Sequence, residues 1–297
     1  MSLVIVGSIA LDTIESPAGK VVDALGGSAL YASLAASHFC PVSIVGVVGT
    51  DYPASAIELL KSRNVNLDGL EQVEGKTFRW AGKYLNFNQA ETLSTDLNVF
   101  ADFDPKLPES CKSCHTLFLA NIHPQLQLKV LSEMQHYSLV ACDTMNYWIQ
   151  LCPELLTELI KKVDILFINE DEIKLYTTER DVFVAAGLIL DMGVKLVVVK
   201  RGEYGAVIIT KESYYYAPAY PISPVRDTTG AGDSFAGGFL GYISAKGSLD
   251  PDTIRQALRY GTVMAAMDVS EFSVAGLHKA DKERIESMQL KLKQWTS

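Results

Sequence analysis

The 297-residue sequence has no run of about 18 or more apolar residues, so no membrane-spanning helix is expected. It also has no excess of positive charge, since its formal net charge is −9. Nucleic acids and anionic membranes are both bound largely through basic faces, so neither partner is expected. The opening stretch "MSLVIVGSIALD" carries no basic residue ahead of its apolar run. It reads as a buried strand rather than a secretion signal, and a cytoplasmic location is the expectation. Cysteine is sparse: Cys40, Cys111, Cys114, Cys142 and Cys152 are an odd number at scattered positions. That pattern does not suit a disulfide framework. "CKSCH", Cys111–His115, has the spacing of a c-type haem attachment site. It abuts "TLFLANI", which reads as a core strand, and no second cysteine pair has zinc-ligand spacing. Haem, zinc and thiol redox chemistry are therefore not expected. The nucleotide-binding pattern G-x-x-x-x-G-K-[ST] is missing, and "GAGDSF" puts Phe235 where a dinucleotide fingerprint needs its third glycine. No internal repeat, low-complexity tract or interdomain linker is evident.

What the sequence does have is the composition of an ordinary globular protein, 48% hydrophobic and 21% charged. Its length suits one large domain with at most a small appendage. Short apolar, β-branched runs recur: Leu3–Gly7, Val42–Gly49, Thr116–Ile122, Leu139–Thr144, Asp164–Asn169, Lys195–Lys200 and Gly205–Thr210. Amphipathic stretches separate them, among them Ala29–Phe39, Ala54–Arg63, Cys152–Lys162 and Thr253–Val269. Continuously apolar strands alternating with helices predict an α/β fold, a doubly wound and mainly parallel sheet covered on both faces. Segments 10–27 and 75–100 break the pattern with turn-rich and period-two character. They are expected to form a small antiparallel sheet beside the main body. The tail from His278 reads as a solvated helix.

The most informative stretch is "RDTTGAGDSFAGGFLGY", Arg226–Tyr242. A glycine-rich segment runs straight into a helix whose interior holds Gly237, Gly238 and Gly241. Each of those costs about 1 kcal/mol relative to alanine in an exposed helix, so close packing is expected there. The loop and helix start would aim unpaired N–H groups in one direction, aided by the helix dipole. This makes an anion site without lysine, and Asp233 beside it has the place of a general base in phosphoryl transfer. A plain helix N-terminus with an acid in its first turn, capped by Asp227 or Thr229, explains the same residues.

The stretch resembles the C-terminal signature of the ribokinase-like, or PfkB, carbohydrate kinase family. "GSIALD", "GGSALYASLAAS" (Gly26–Ser37), "NEDE" (Asn169–Glu172) and "VVVKRGEYGA" (Val197–Ala206) resemble further family segments in the expected order. The resemblance implies a ribokinase fold with a β-sheet lid within 10–27 and 75–100. It implies transfer of the γ-phosphate of ATP, with Mg²⁺, to an alcohol of a small sugar, polyol or nucleoside. Asp233 matches the catalytic base, and Gly230, Ala231 and Gly232 match the anion hole. Asn169 and Glu172 match residues that organise Mg²⁺ through water, although N-x-x-E is also close to a capping box. Lys200, Arg201 and Gly202 lie where ATP is approached. Asp227 and Thr229, with the segment 270–276, match a monovalent-cation site, often K⁺. On the acceptor side the resemblance implies Asp12, Gly26 and Gly27, with Arg79 and Asn121 as further candidates. Many members have an asparagine where this chain has Tyr31, whose ring could stack on a sugar face or a base but cannot copy a carboxamide's hydrogen bonds. Phe78, Trp80, Tyr84 and Phe87 of the lid segment suit a hydrophobic lid or dimer contact, and could alternatively stack a base. Homodimers through the lid occur in the family.

Overall fold

A computed structural model describes residues 2–87 and 89–296 of the chain; Met1, Asn88 in the second lid segment, and Ser297 lie outside them. The strands are β1 (Leu3–Val6), β2 (Ala10–Ser16), β3 (Gly19–Gly26), β4 (Val42–Gly49), β5 (Asn66–Val73), β6 (Phe78–Asn86), β7 (Gln89–Asp96), β8 (Thr116–Leu119), β9 (Leu139–Asp143), β10 (Ile165–Asn169), β11 (Leu196–Lys200), β12 (Ala206–Ile209) and β13 (Tyr214–Ala217). The helices are α1 (Ser28–Ala36), α2 (Ala54–Ser62), α3 (Pro124–Glu133), α4 (Asn146–Leu151), α5 (Pro153–Ile160), α6 (Glu170–Thr177), α7 (Val182–Leu190), α8 (Ala231–Lys246), α9 (Pro251–Val269), α10 (Ala275–His278) and α11 (Lys282–Trp295).

Nine strands form the main sheet in the order β13-β12-β11-β10-β9-β8-β1-β4-β5. β12 and β13 are antiparallel additions at one edge, and the other pairs are parallel. The apolar runs form the central strands because helices cover both faces, and β1, β8 and β9 are buried along their whole length. The polar edge strand β5 and the tyrosine-rich β13 lack that signature, and the sequence reading passes over both.

The second sheet has the order β3-β2-β6-β7. Its outer pairs are antiparallel, but β2 and β6 run parallel. This corrects the expectation of an antiparallel lid sheet. β1, β4 and β5 are mutually parallel and end at one rim of the main sheet. The lid strands that follow β1 and β5 therefore both leave that rim in the same direction.

Helix α8 is buried from Ser234 to Ser244. A Cβ on Gly237 would lie 2.3 Å from the Ala32 carbonyl oxygen, and one on Gly241 would lie 2.9 Å from the Ala36 Cα. The helix glycines thus let α1 and α8 approach backbone to backbone. The C-terminal helix α11 is not simply solvated: Ile285, Met288 and Leu292 are buried at helical spacing. Tyr260 donates from its hydroxyl to Glu286 at 2.9 Å, tying α11 to α9.

Candidate active site

In a doubly wound sheet, ligands bind beyond the carboxyl ends of the strands where the strand order reverses. Here β1 lies between β4 and β8, so the chain builds outward from it in both directions. Polar side chains gather on that rim. Asp143, Asn169 and Lys200 are the last residues of β9, β10 and β11, and Asn121 follows β8 by two.

Gly230 adopts φ +82° and caps α8, a conformation that suits glycine. A Cβ there would lie 2.5 Å from three Tyr31 ring carbons, so the loop rests on the face of that ring. Tyr31 is 1% exposed and its hydroxyl has no hydrogen-bond partner among the described residues. The expectation that this ring stacks on a ligand is therefore corrected: its face is already covered by the glycine loop. The loop's own amides are largely unspent. Ala231 N–H makes a long 3.3 Å bond to the Thr228 carbonyl, whereas Gly230 and Gly232 N–H have no partner among the described residues.

Asp233 sits in the first turn of α8. Burial, then the nearby charge of Asp143, pushes its pKa up to about 7, with Lys200 opposing them. Asn169 and Glu172 form a reciprocal cap: Glu172 N–H donates to Asn169 Oδ1 and Asn169 N–H to Glu172 Oε2, each at 2.8 Å. Burial pushes the Glu172 carboxyl up to about 7, although Lys200 pulls it down. Lys200 donates to Asp143 Oδ2 at 2.5 Å. Arg201 is turned away to Glu170 at 2.6 Å, beside a groove of about 640 Å³ that it shares with Phe183, Tyr214 and Tyr216. Gly202, with φ +53°, opens the tight turn after β11.

On the acceptor side, Asp12 is 3% exposed on β2. Burial, then Asp227 and Asp233, pushes its carboxyl up to about 8. A Cβ on Gly26 would lie 1.9 Å from Asp12 Oδ2, so only glycine leaves that carboxylate its place. Gly27, with φ +98°, turns the chain into α1 against the Ser8 carbonyl. Arg79 pairs with Asp51 at 2.8 Å and Asp23 at 3.1 Å. Its charge is matched inside the chain by these two carboxylates. Phe78 stacks on Phe100, and Trp80 lies against Gly82 with its indole N–H on Thr92. Both rings thus make contacts within the lid, in line with a hydrophobic lid role. The lid reaches the glycine loop instead: the Tyr84 hydroxyl lies 3.1 Å from Thr229 Oγ1, and Thr228 donates to the Phe87 carbonyl. Asp227 accepts from the Thr229 and Ser273 amides at 2.9 and 3.0 Å, tying the loop to the turn after α9.

Two features escape the sequence reading. Asn121 accepts from Trp148 Nε1 at 2.9 Å, and Trp148 packs edge-on against His123 and Tyr147. This forms an aromatic wall at the rim beyond β8 and β9. Asp143 is the other; a polar side chain ending an apolar strand is the available signal, shared with Asn169 and Lys200.

The sequence model of the pfkB family carbohydrate kinases matches residues 2–280. The chain belongs to the PfkB carbohydrate kinase family, and it is a phosphotransferase with an alcohol acceptor. It is 33% identical to a cytidine kinase of Thermococcus kodakarensis over 250 residues, covering 81% of this chain and 87% of the relative. It is 26% identical to a deoxyribokinase of Salmonella typhi, covering 87% and 85%. The crystal structure of the Methanocaldococcus jannaschii nucleoside kinase superposes with a TM-score of 0.79 at 21% identity over 98% of both chains, which shows the shared ribokinase fold.

Proposed function

We propose that the protein moves the γ-phosphate of ATP, with Mg²⁺, to a sugar hydroxyl of a nucleoside. The observation that carries the phosphotransfer is the place of Asp233, an acid held near neutrality in the first turn of α8 beside unspent glycine amides. A base with a pKa near the working pH combines the ionised form with useful proton affinity. Asp233 takes the proton from the attacking hydroxyl. The Gly230 and Gly232 amides hold the oxygens of the incoming phosphoryl group, and Lys200 approaches the nucleotide phosphates. Asp12 accepts a hydrogen bond from the acceptor and orients it, with Gly26 and Gly27 admitting the acceptor to the backbone. Closure of the lid, through Tyr84 and Thr229, excludes water.

Asp143, Glu172 and Asp233 all act on the single ammonium of Lys200, an excess of negative charge that suits a divalent cation. Among the described residues no three acids lie close enough together to ligate a metal directly, so Mg²⁺ would be held through water by Asn169 and Glu172 and would supply charge neutralisation for the polyphosphate. Asp227, Thr229 and the carbonyls of 270–276 are the residues that would hold K⁺. The lid leaves Val22, Leu85 and Leu93 exposed, which supports pairing with a second copy.

Two observations favour a nucleoside: the aromatic wall of Trp148, Tyr147 and His123 beside Asn121, and the 33% identity to a cytidine kinase. A free pentose is the second reading, favoured by the similarity to a deoxyribokinase. The test is an ATP-consumption screen over nucleosides, free sugars, polyols and sugar phosphates. A nucleoside should be the preferred acceptor and sugar phosphates should be inert. Asp233→Asn should bind ATP nearly as well and lose about three decades of turnover. Near-normal turnover in that variant would overturn the assignment of the base, and a preference for free pentoses would replace the nucleoside.

A further inference from the structure

Lys200 and Asp143 are 57 positions apart and end strands separated by β10. The lysine reaches across that strand, and its register partner Asn169, to bond the acid. The Asp143 side chain is 3% exposed, and the Lys200 side chain 18%. Asp143 is further held by the Thr144 N–H at 2.9 Å, which fixes the carboxylate. A Cβ placed on Gly232 would lie 3.2 Å from Lys200 Nζ. The ammonium therefore touches the middle of the glycine loop, beside an unspent amide. An ammonium has three donors, and Asp143 is the one partner of Nζ among the described residues. Two N–H bonds remain for a ligand. Burial opposes the charge, but Asp143, Glu172 and Asp233 outweigh it and keep the amine protonated.

We propose that Lys200 is a catalytic residue that contacts the phosphoryl group in flight beside the Gly232 amide, and that Asp143 is the positioning residue that aims it. The proposal rests on the phosphotransfer reading above and deepens it. A fixed ammonium in a partly buried site stabilises developing charge without reorganising when the reaction occurs. The salt bridge to Asp143 holds the ammonium in place beside the glycine loop. The effect should fall on turnover rather than on ATP affinity, because the contact tightens as charge builds on the transferred group.

The test compares Lys200→Met, Lys200→Gln, Asp143→Asn, the Lys200→Met/Asp143→Asn pair and Asp233→Asn in the full chain. Lys200→Gln keeps a donor for Asp143 and guards against misfolding of the methionine variant. Both lysine variants should lose about a hundredfold in kcat with the KM for ATP changed less than about threefold. They should bind MgADP as the parent does, but bind MgADP with aluminium fluoride and acceptor about a hundredfold more weakly. Asp143→Asn should lose about tenfold in kcat, and the paired variant should be no slower than Lys200→Met. If the lysine variants lose only thermal stability while kcat and aluminium fluoride affinity hold, and Asp233→Asn loses about three decades of turnover, the inference fails and the assignment of the base stands. Near-normal turnover in Asp233→Asn overturns the assignment of the base on which the inference rests.

Discussion

Replacing Asp12 by asparagine should stabilise the protein and disable it together. Asp12 is buried on β2, and its carboxyl is pushed from the usual 3.8 up to about 8 by burial, then by Asp227 and Asp233. The folded chain thus holds this proton to higher pH than the unfolded chain does. Between those two values the unfolded state binds fewer protons, so stability falls as pH rises through the window. A carboxyl moved that far corresponds to about 6 kcal/mol lost above pH 8, and relaxation around the charge reduces it to about 2–5 kcal/mol. Asparagine has the shape of the protonated acid and never ionises. At about 2.1 cal/mol/K per residue, 297 residues have an unfolding entropy of about 620 cal/mol/K. Relief of 2–5 kcal/mol then corresponds to a rise in Tm of about 3–8 °C. Differential scanning calorimetry of Asp12→Asn and its parent should show this gain at pH 9 and almost none at pH 4. Acceptor-dependent ATP turnover should fall, since the amide can no longer accept as a carboxylate does. An unchanged or lower Tm at pH 9 would refute the electrostatic reasoning, whatever the kinetics.

The remaining predictions concern the glycine loop and its base. Because Asp233 must be ionised to accept a proton and its pKa is pushed up to about 7, kcat at saturating acceptor should climb with pH and level off above about 7. A flat profile from pH 5 to 8, measured at constant ionic strength, would contradict that role. Gly230→Ala forces a side chain into φ +82° and to 2.5 Å from the Tyr31 ring. The backbone strain costs about 1–2 kcal/mol, and an anion hole displaced by about 1 Å should lose about a hundredfold in kcat. Steady-state kinetics and a melting curve check both, and full activity in Gly230→Ala would show that the loop is not held as described.

Much of this site is local and therefore legible in one dimension. Gly230–Asp233 are consecutive residues at a helix start, and their donors follow from backbone geometry whatever surrounds them. The N-x-x-E spacing likewise specifies its reciprocal cap, because both bonds close within one turn. Continuous apolar strands announced a doubly covered parallel sheet for the same reason, since each strand reports its own burial. The lid was less readable. Its hairpins show in the local alternation, but the parallel pairing of β2 with β6 depends on where β1 and β5 end.

The sequence by itself determined the family, the central strands and the glycine-rich helix start that we propose faces the transferred phosphate. Those rest on bonds between near neighbours in the chain. Only the tertiary structure decided what each side chain does with its charge or ring. It covered the face of Tyr31 with Gly230, cancelled Arg79 against Asp23 and Asp51, and joined Lys200 to an acid 57 positions away. Contacts of that kind are set by strand order and register, and one residue's chemistry does not reveal which distant partner the fold will bring to it.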